Sequence, residues 1–345
     1  MKLGKWLFVL FFVLFVISSA FAFFYSEEIV SFINNKQDER ENSLQYRYVE
    51  LPYKEQVYVD NGKIFILNKS DFKAVDYSGK ELYKRKLDHD KFRMIGVNGY
   101  IFLIDDSTNS TDVLDHENHL IFEEASYNHI NSIKNIGKDI VIFSDDGLNF
   151  ETAIYDDYME EEISFMSKDA AVDLIKVKDG IKIFSLRRDS GGLSAVFGLL
   201  NEKKEINLIL ELEGYVPIKF YVDGKADILV TDREALLTRG GVVEKKLSYN
   251  NFMGFEKLKD NYIILADGNY TIVDNNFNII DSGEVKGLDN IVQSNDHAYI
   301  YGGREIKKFG DDGLIEEIKT EHDIERIHIS NGLIVEFRNG FLIYN

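Results

Sequence analysis

Several groups of residues in this chain are of types that could carry chemistry. Asp189-Ser190-Gly191-Gly192 could present a serine nucleophile beside main-chain amides, and His116-Glu117-Asn118-His119 gathers two imidazoles and a carboxylate. Asp105, Ser107, Asn109 and Asp112 alternate oxygen ligands as a calcium loop does. Each lacks something its chemistry requires. The serine falls inside a hairpin whose turn already accounts for the two glycines. The histidines are separated by three positions rather than the four that put two imidazoles on one helical face around zinc. Neither the Asp105 stretch nor a second acidic turn at Asp311-Asp312-Gly313 has the sixth-position glycine and terminal bidentate glutamate of an EF-hand loop. These segments read as polar turns and solvated histidines. The chain has no cysteine, which excludes disulfides, thiolate nucleophiles, thiolate metal sites and a lipid-modified N-terminal cysteine. We assign no catalytic residue, no metal site and no cofactor.

One distribution invites a binding role. His89 with Asp90, Tyr127 with His129, Tyr215, Tyr249 with Asn250, and His322 with Asp323 all fall at boundaries between repeating units. Imidazole and phenol groups join a flat apolar face to a polar tip, so a rim of them can stack on a ligand and hydrogen-bond it. His89, Tyr127, His129, Tyr215, Tyr249 and His322 are therefore the candidate binding residues. The competing reading is that they are ordinary loop positions in a chain holding nineteen tyrosines.

The elements that must position these residues are read from internal repetition. A strand-turn-strand unit recurs eight times, as VYVDNGKIFIL around Gly62, MIGVNGYIFLI around Gly99, IKNIGKDIVIF around Gly137 and LIKVKDGIKIF around Gly180. It continues around Gly224, Asn261, Asp296 and Gly332, at intervals of 35 to 44 residues. Asn-Gly and Asp-Gly suit two-residue hairpins, whose central residues need positive φ. A second hairpin follows in each unit, as in FKAVDYSGKELYKRKL from Phe72 and YTIVDNNFNIIDSG from Tyr270. Two hairpins per repeat of this length make a four-stranded blade. The expected fold is all-β: a β-propeller of eight blades, or of seven if the last unit only caps the ring, over residues 44–345. Pro52 and Pro217 fall beside unit boundaries, where a residue without an N–H does not interrupt a ladder.

The eighth unit has only three strands, ERIHIS, LIVEF and FLIY, before the sequence stops at Asn345. Leu44, Tyr46 and Tyr48 alternate with polar neighbours ahead of the first unit and supply a fourth strand. We expect the segment Leu44–Glu50 to close the last blade and remove a free sheet edge.

The stretch from Ile64 to Tyr83, IFILNKSDFKAVDYSGKELY, places Asp76, Gly79 and Tyr83 where PQQ-like repeats carry an aspartate, a turn glycine and an aromatic. The chain resembles the PQQ-like, quinoprotein-dehydrogenase-type propeller superfamily over nearly all of residues 44–345, as architecture. Its layout also resembles membrane-anchored propellers of Gram-positive bacteria. Quinoprotein blades dock through tryptophans, and the single tryptophan here, Trp6, lies outside the repeats. The resemblance therefore implies a fold, no quinone and no catalytic residue.

Trp6 to Tyr25 is twenty residues without a charge, and at ~1.5 Å per residue it covers the roughly 30 Å core of a bilayer. Lys2 and Lys5 precede it and Glu27 and Glu28 follow, so the positive-inside rule leaves residues 1–5 in the cytoplasm. Residues 6–25 would then be a signal-anchor helix, 26–43 a stalk, and the propeller extracytoplasmic at the cell membrane. Ala20-Phe21-Ala22 also has the form of a cleavage site, so secretion after cleavage at Ala22 is the alternative. A formal charge of −19 excludes the basic footprint that nucleic acid needs. Function divides into two readings. One is a non-catalytic binding or scaffolding module that engages a protein, peptide or envelope polymer through the rim. The other is a hydrolase- or lyase-type enzyme assembled in the channel, one residue per blade. An inward cluster of ionisable groups with shifted pKa values separates them.

Overall fold

The computed structural model describes residues 46–51, 54–125 and 128–344. They form eight antiparallel sheets of four strands each, so the eight-bladed reading holds and the seven-bladed one does not. The blades span residues 56–86, 92–125, 129–167, 170–213, 217–248, 252–284, 290–319 and 324–344, the last with Tyr46–Glu50 as its fourth strand. Within each blade the strands follow sequence order, as two hairpins in series require. Among the described residues no helix is long and apolar enough to cross a membrane; the segment Trp6–Tyr25, the stalk and Leu44 lie outside those residues.

The apolar core is a set of layers between blades. Phe65, Leu67 and Phe72 of blade 1 pack on Met94, Ile101 and Leu103 of blade 2. Similar layers join blades 2 and 3, 3 and 4, 4 and 5, 5 and 6, and 6 and 7. The strand alternation is blurred where both faces of a blade are covered, as in Ala226–Thr231, which is buried throughout.

The first strand of each blade is innermost. The inner strands of blades 1 and 2, 2 and 3, 4 and 5, 6 and 7, 7 and 8, and 8 and 1 adjoin. Five of them carry a β-bulge near their start, at Ile130/Ser132, Ala171/Asp173, Pro217/Lys219, Phe252/Gly254 and Ile324/Arg326. A bulge breaks the ladder and leaves main-chain groups to be satisfied elsewhere. Polar side chains of the preceding blade satisfy such groups at the bulges of blades 3 and 4, and bond other main-chain groups of the inner strands of blades 2, 5 and 6. Arg93 Nη2 donates to Ile130 O at 2.8 Å, Lys134 Nζ to Val172 O at 2.7 Å and Lys219 Nζ to Phe255 O at 2.9 Å. Gln56 uses both ends of its amide, donating to Phe92 O and accepting from Met94 N at 2.6 Å. Asp173 reverses the polarity and accepts from Phe220 N at 3.0 Å.

A second irregularity recurs at the outer edge. In seven blades the fourth strand bulges at one equivalent residue: Leu82, Ile121, Glu162, Ile209, Glu244, Ile280 and Ile315. An edge strand that is kinked in this way offers a poor template to another strand. The exposed aliphatic side chains at Ile121, Ile280 and Ile315 are consistent with a bulge rather than with a flat apolar sheet face.

Residues 48–343 form the large compact unit; the described part of the other is Tyr46, Arg47 and Tyr344, in which the Tyr46 and Tyr344 rings lie 6.0 Å apart. Inside the large unit the two ends of the chain meet. Leu51 N donates to Asn339 O, and Val49 and Leu51 share an apolar layer with Val59, Ile64, Phe341 and Ile343. Lys54, its side chain almost wholly buried, donates to Phe337 O at 2.5 Å and Arg338 O at 3.2 Å. Gly340 is what lets the strands approach: a Cβ there would stand 2.5 Å from Val49 O and 2.7 Å from the Tyr48 hydroxyl. Gly340→Val should therefore cost on the order of 3 kcal/mol and lower the melting temperature of the whole domain in one transition. An unchanged melt would show that this contact does not hold the ring.

Candidate functional site at the inner-turn mouth

The sequence-predicted rim residues do not meet at one site. Tyr249 is a core residue: it is 8 % exposed and its hydroxyl donates to Thr231 O at 2.8 Å. A phenol at a blade junction satisfies a buried carbonyl as readily as it meets a ligand, and here it does the former. Tyr215 donates to Glu234 at 2.9 Å, where Lys246 and Ser248 donate as well. His322 lies edge-on to Phe337 in a different cavity, with Arg304 and Arg338. His129 is exposed at the start of the inner strand of blade 3, opposite Asp145. Tyr127 lies outside the described residues.

His89 stacks on Phe92 at 4.9 Å, with its Nε2 3.0 Å from Asp105 and 3.4 Å from the Ser107 hydroxyl. Serine, histidine and aspartate are thus together, yet not in catalytic order. Lys91 N donates to His89 Nδ1, so Nε2 carries the proton and gives it to Asp105. The Ser107 hydroxyl itself donates to Asp105 at 2.6 Å, leaving no base to activate it. Burial pushes the Asp105 carboxyl up, and hydrogen bonds from Ser107, Thr108 and His89 outweigh it and hold the group well below the ordinary carboxylate range.

This is one case of a general clip between a junction and the turn joining the second and third strands. Arg93 pairs with Asp106, Asn131 with Asp145, Arg187 with Asp169, and Arg304 with Asp323. Asp232 accepts from Val216 N, and Asp267 from Asn250 N and Asn251 N. The calcium-like stretch is consumed in the same way, since Arg85 takes Asp112. Asp189-Ser190-Gly191-Gly192 is a turn closed by Gly191 N on Asp189. Among the described residues no three His, Cys, Asp or Glu side chains gather to hold a metal ion.

The inner strands hold a cluster of charges. Lys219 meets Glu256 at 2.9 Å, and the Tyr221 hydroxyl lies 3.3 Å from the same carboxylate. Burial lowers the Lys134 pKa and raises those of Asp173 and Tyr221, with the neighbouring charges acting on each. An inward ionisable cluster with shifted pKa values therefore exists, but Lys134, Asp173 and Lys219 are committed to main-chain groups of the adjoining blade.

The end opposite the junctions is built differently. There the turns between first and second strands of blades 8, 1, 2 and 3 surround a cavity of about 500 Å³. Asn331, Asn61, Asn98 and Asn135 supply one amide from each blade, joined by Tyr58, Asp60 and His116. Asn61, Asn98 and Asn331 have φ of 45°, 46° and 47°, a left-handed conformation that asparagine tolerates and a hairpin turn needs. Neighbouring turns are tied together by Asn61 N donating to the Ser330 hydroxyl and Asn98 Nδ2 to Lys138 O.

Two glycines shape the wall. A Cβ on Gly96 would stand 2.0 Å from the Tyr58 ring, and one on Gly99 2.6 Å from the His116 imidazole. His116 is held from behind: Lys63 Nζ donates to its carbonyl at 3.0 Å and also pairs with Glu117. Its Nδ1 is shut off from solvent without a hydrogen-bond partner, 3.8 Å from Asp60 Oδ2. His119 is solvated and pairs with Asp115, as a turn histidine does. His116 is not, because Gly99 gives its ring a place to lie. The sequence marked these asparagines only as turn formers. Spacing marks two of them: Asn61 and Asn98, 37 residues apart, each open the turn after their inner strand, whereas Asn135 is still paired within its own strand, opposite Ile140.

No protein-family model matches the chain, and no curated protein matches it. Solved structures do. The chain is similar to BamB from Moraxella catarrhalis, with a TM-score of 0.57 at 8% identity over 87% of this chain and 98% of that one. It is similar to Sqt1 of Saccharomyces cerevisiae, with a TM-score of 0.59 at 9% identity over 88% and 99%. A eukaryotic initiation factor gives 0.57 at 11% identity over 87% and 93%. At such identities the likeness establishes the fold, a β-propeller, and nothing of the site.

Asp105 carries the pH prediction of this region. Its folded pKa is depressed, so its contribution is present above the ordinary carboxylate range and lost as pH falls through the folded value. Asp105→Asn should lower stability at neutral pH by about 1–3 kcal/mol. It should also flatten the fall in melting temperature on acidification below about pH 4. A variant with wild-type melts at both pH extremes would contradict the assignment.

Proposed function

We propose that this protein is a non-catalytic binding module, held outside the cytoplasmic membrane by Trp6–Tyr25, that engages a protein, peptide or envelope polymer at the inner-turn mouth. The observation that carries the binding reading is the cavity itself. Side chains from four blades converge on it, with Asn61 held through its main-chain amide, Asn98 through its side-chain nitrogen and His116 through its carbonyl. Against an enzyme in the channel stands the use of Lys134, Asp173 and Lys219 as partners of the adjoining main chain. The shifted pKa values of Lys134 and Asp173 follow from burial and pairing, which structural networks produce as well as active sites do. Relative to the rim drawn from sequence, this reading moves the site to the other end of the blades. Export rests on the lysines before the apolar run and the glutamates after it.

The absence of native cysteine makes both halves testable with single-cysteine and photocrosslinking variants. Leu148 is 86 % exposed, in the turn between the second and third strands of blade 3, on the side away from the mouth. Leu148→Cys should be labelled by a membrane-impermeant maleimide in intact cells; labelling only after lysis would overturn export. A photocrosslinking residue at position 98 should trap a partner in intact cells while one at position 148 does not. Trapping from 148 alone would place the binding surface at the junction end.

A further inference from the structure

We infer that the ligand of the inner-turn mouth is a neutral, hydroxyl-rich saccharide; the inference rests on the mouth being the binding site. The first argument is charge. No lysine or arginine lines the cavity, Asp60 is its one carboxylate, and the chain carries −19 overall. An anionic polymer would meet repulsion at long range and no cation at contact. A cationic ligand would find a single carboxylate, with His116 3.8 Å away as the other ionisable group at the wall.

The second argument is hydrogen-bonding capacity. Each asparagine amide offers two donor hydrogens and an acceptor oxygen, and a hydroxyl is itself both donor and acceptor. Asn61, Asn135 and Asn331, with Asn98 through its oxygen and the one amide hydrogen that Lys138 O does not take, thus form an array able to answer a string of hydroxyls in either sense. Asp60 adds an acceptor carboxylate at the wall, while His116 Nδ1, shut off from solvent, takes no part. Tyr58 adds one aromatic ring beside Asp60.

The third argument separates saccharide from peptide. Extended peptides are recognised at a sheet edge, helices in an apolar groove, and proline-rich segments between several aromatic rings. The lining takes no more than three residues from the end of any one inner strand, Tyr58–Asp60 being the longest run, so it offers no length of sheet edge for an extended peptide to pair with, and Tyr58 is its one phenol or phenyl ring. There is also no arginine or lysine to take a terminal carboxylate.

The test uses the full chain in a detergent without a sugar headgroup, titrated calorimetrically with maltotetraose, N-acetylchitotetraose, polygalacturonate and a neutral Ser-Gly peptide. The variant is Asn61→Gly, Asn98→Gly, Asn331→Gly combined, since glycine accepts the positive φ at each position while removing the amide. At least one neutral saccharide should bind, its affinity changing less than about twofold between roughly 50 and 500 mM salt. The triple variant, with its melting temperature close to wild type, should weaken that binding about a hundredfold. Binding of polygalacturonate or of the peptide alone, abolished by the triple variant, would keep the site and overturn the saccharide. Saccharide binding untouched by the triple variant would overturn the mouth itself. Binding of none of the four would also overturn the inference.

Discussion

The inner strands of blades 2 to 6 each depend on a polar side chain supplied by the preceding blade. The bulges at Ile130/Ser132 and Ala171/Asp173 interrupt the ladders of their own blades, and Arg93 and Lys134 of the preceding blades take carbonyls there. A buried carbonyl left alone would cost about 1–3 kcal/mol, so a blade removed from its neighbour is destabilised beyond the loss of apolar contact. The reverse also holds. Lysines 134 and 219 are buried next to the main chain and need those carbonyls, together with Asp173 and Glu256, to be tolerated at all. Neighbouring blades thus satisfy one another in both senses, which makes the ring one cooperative unit rather than a string of separable hairpins.

The same logic explains where the acidity goes. A chain at −19 resists compaction through self-repulsion, yet many of its carboxylates act as local acceptors. Asp105, Asp232 and Asp267 clip junctions to turns, while Asp115, Asp156 and Asp274 close turns by accepting main-chain amides two and four residues on. Clusters of aspartate that look like ligand sets in sequence are, in the fold, caps on amides that a propeller's many tight turns would otherwise leave unpaired. That is why the Asp105 stretch binds its own loop rather than defining a cation site.

The architecture was legible because a propeller repeats its turn chemistry. Positive φ at the hairpin centre selects Asn-Gly and Asp-Gly, and five such turns with three variants, at near-constant intervals, expose the blades without any need to score individual strands. The inner-strand latches were not legible. Gln56, Arg93, Lys134, Asp173 and Lys219 differ in type and in bonding sense, and what unites them is that each meets the main chain of the next inner strand. A main-chain partner leaves no fixed residue in the sequence, so the side chain that meets it leaves none either. The bonding of the junction residues was illegible for a related reason. His89, Tyr215 and Tyr249 stand out as amphipathic side chains at junctions, whereas the structure uses all three to satisfy acceptors at the same junctions.

The asparagines of the mouth do two things at once. A residue that meets the conformational demand of a turn can still present its side chain, and the two roles reinforce each other. Asn61, Asn98 and Asn331 are held in a left-handed conformation by the hairpins they close, so their amides project from backbone that cannot relax without opening a blade. Ser330 and Lys138 fasten the turns to those of adjoining blades. A ligand meeting this array encounters groups whose ordering entropy was lost on folding, not on binding, and more of each hydrogen bond then appears as affinity. Rigid turns at the mouth of a closed ring are in that respect a better platform for weak, neutral hydrogen bonds than the longer junction loops at the other end.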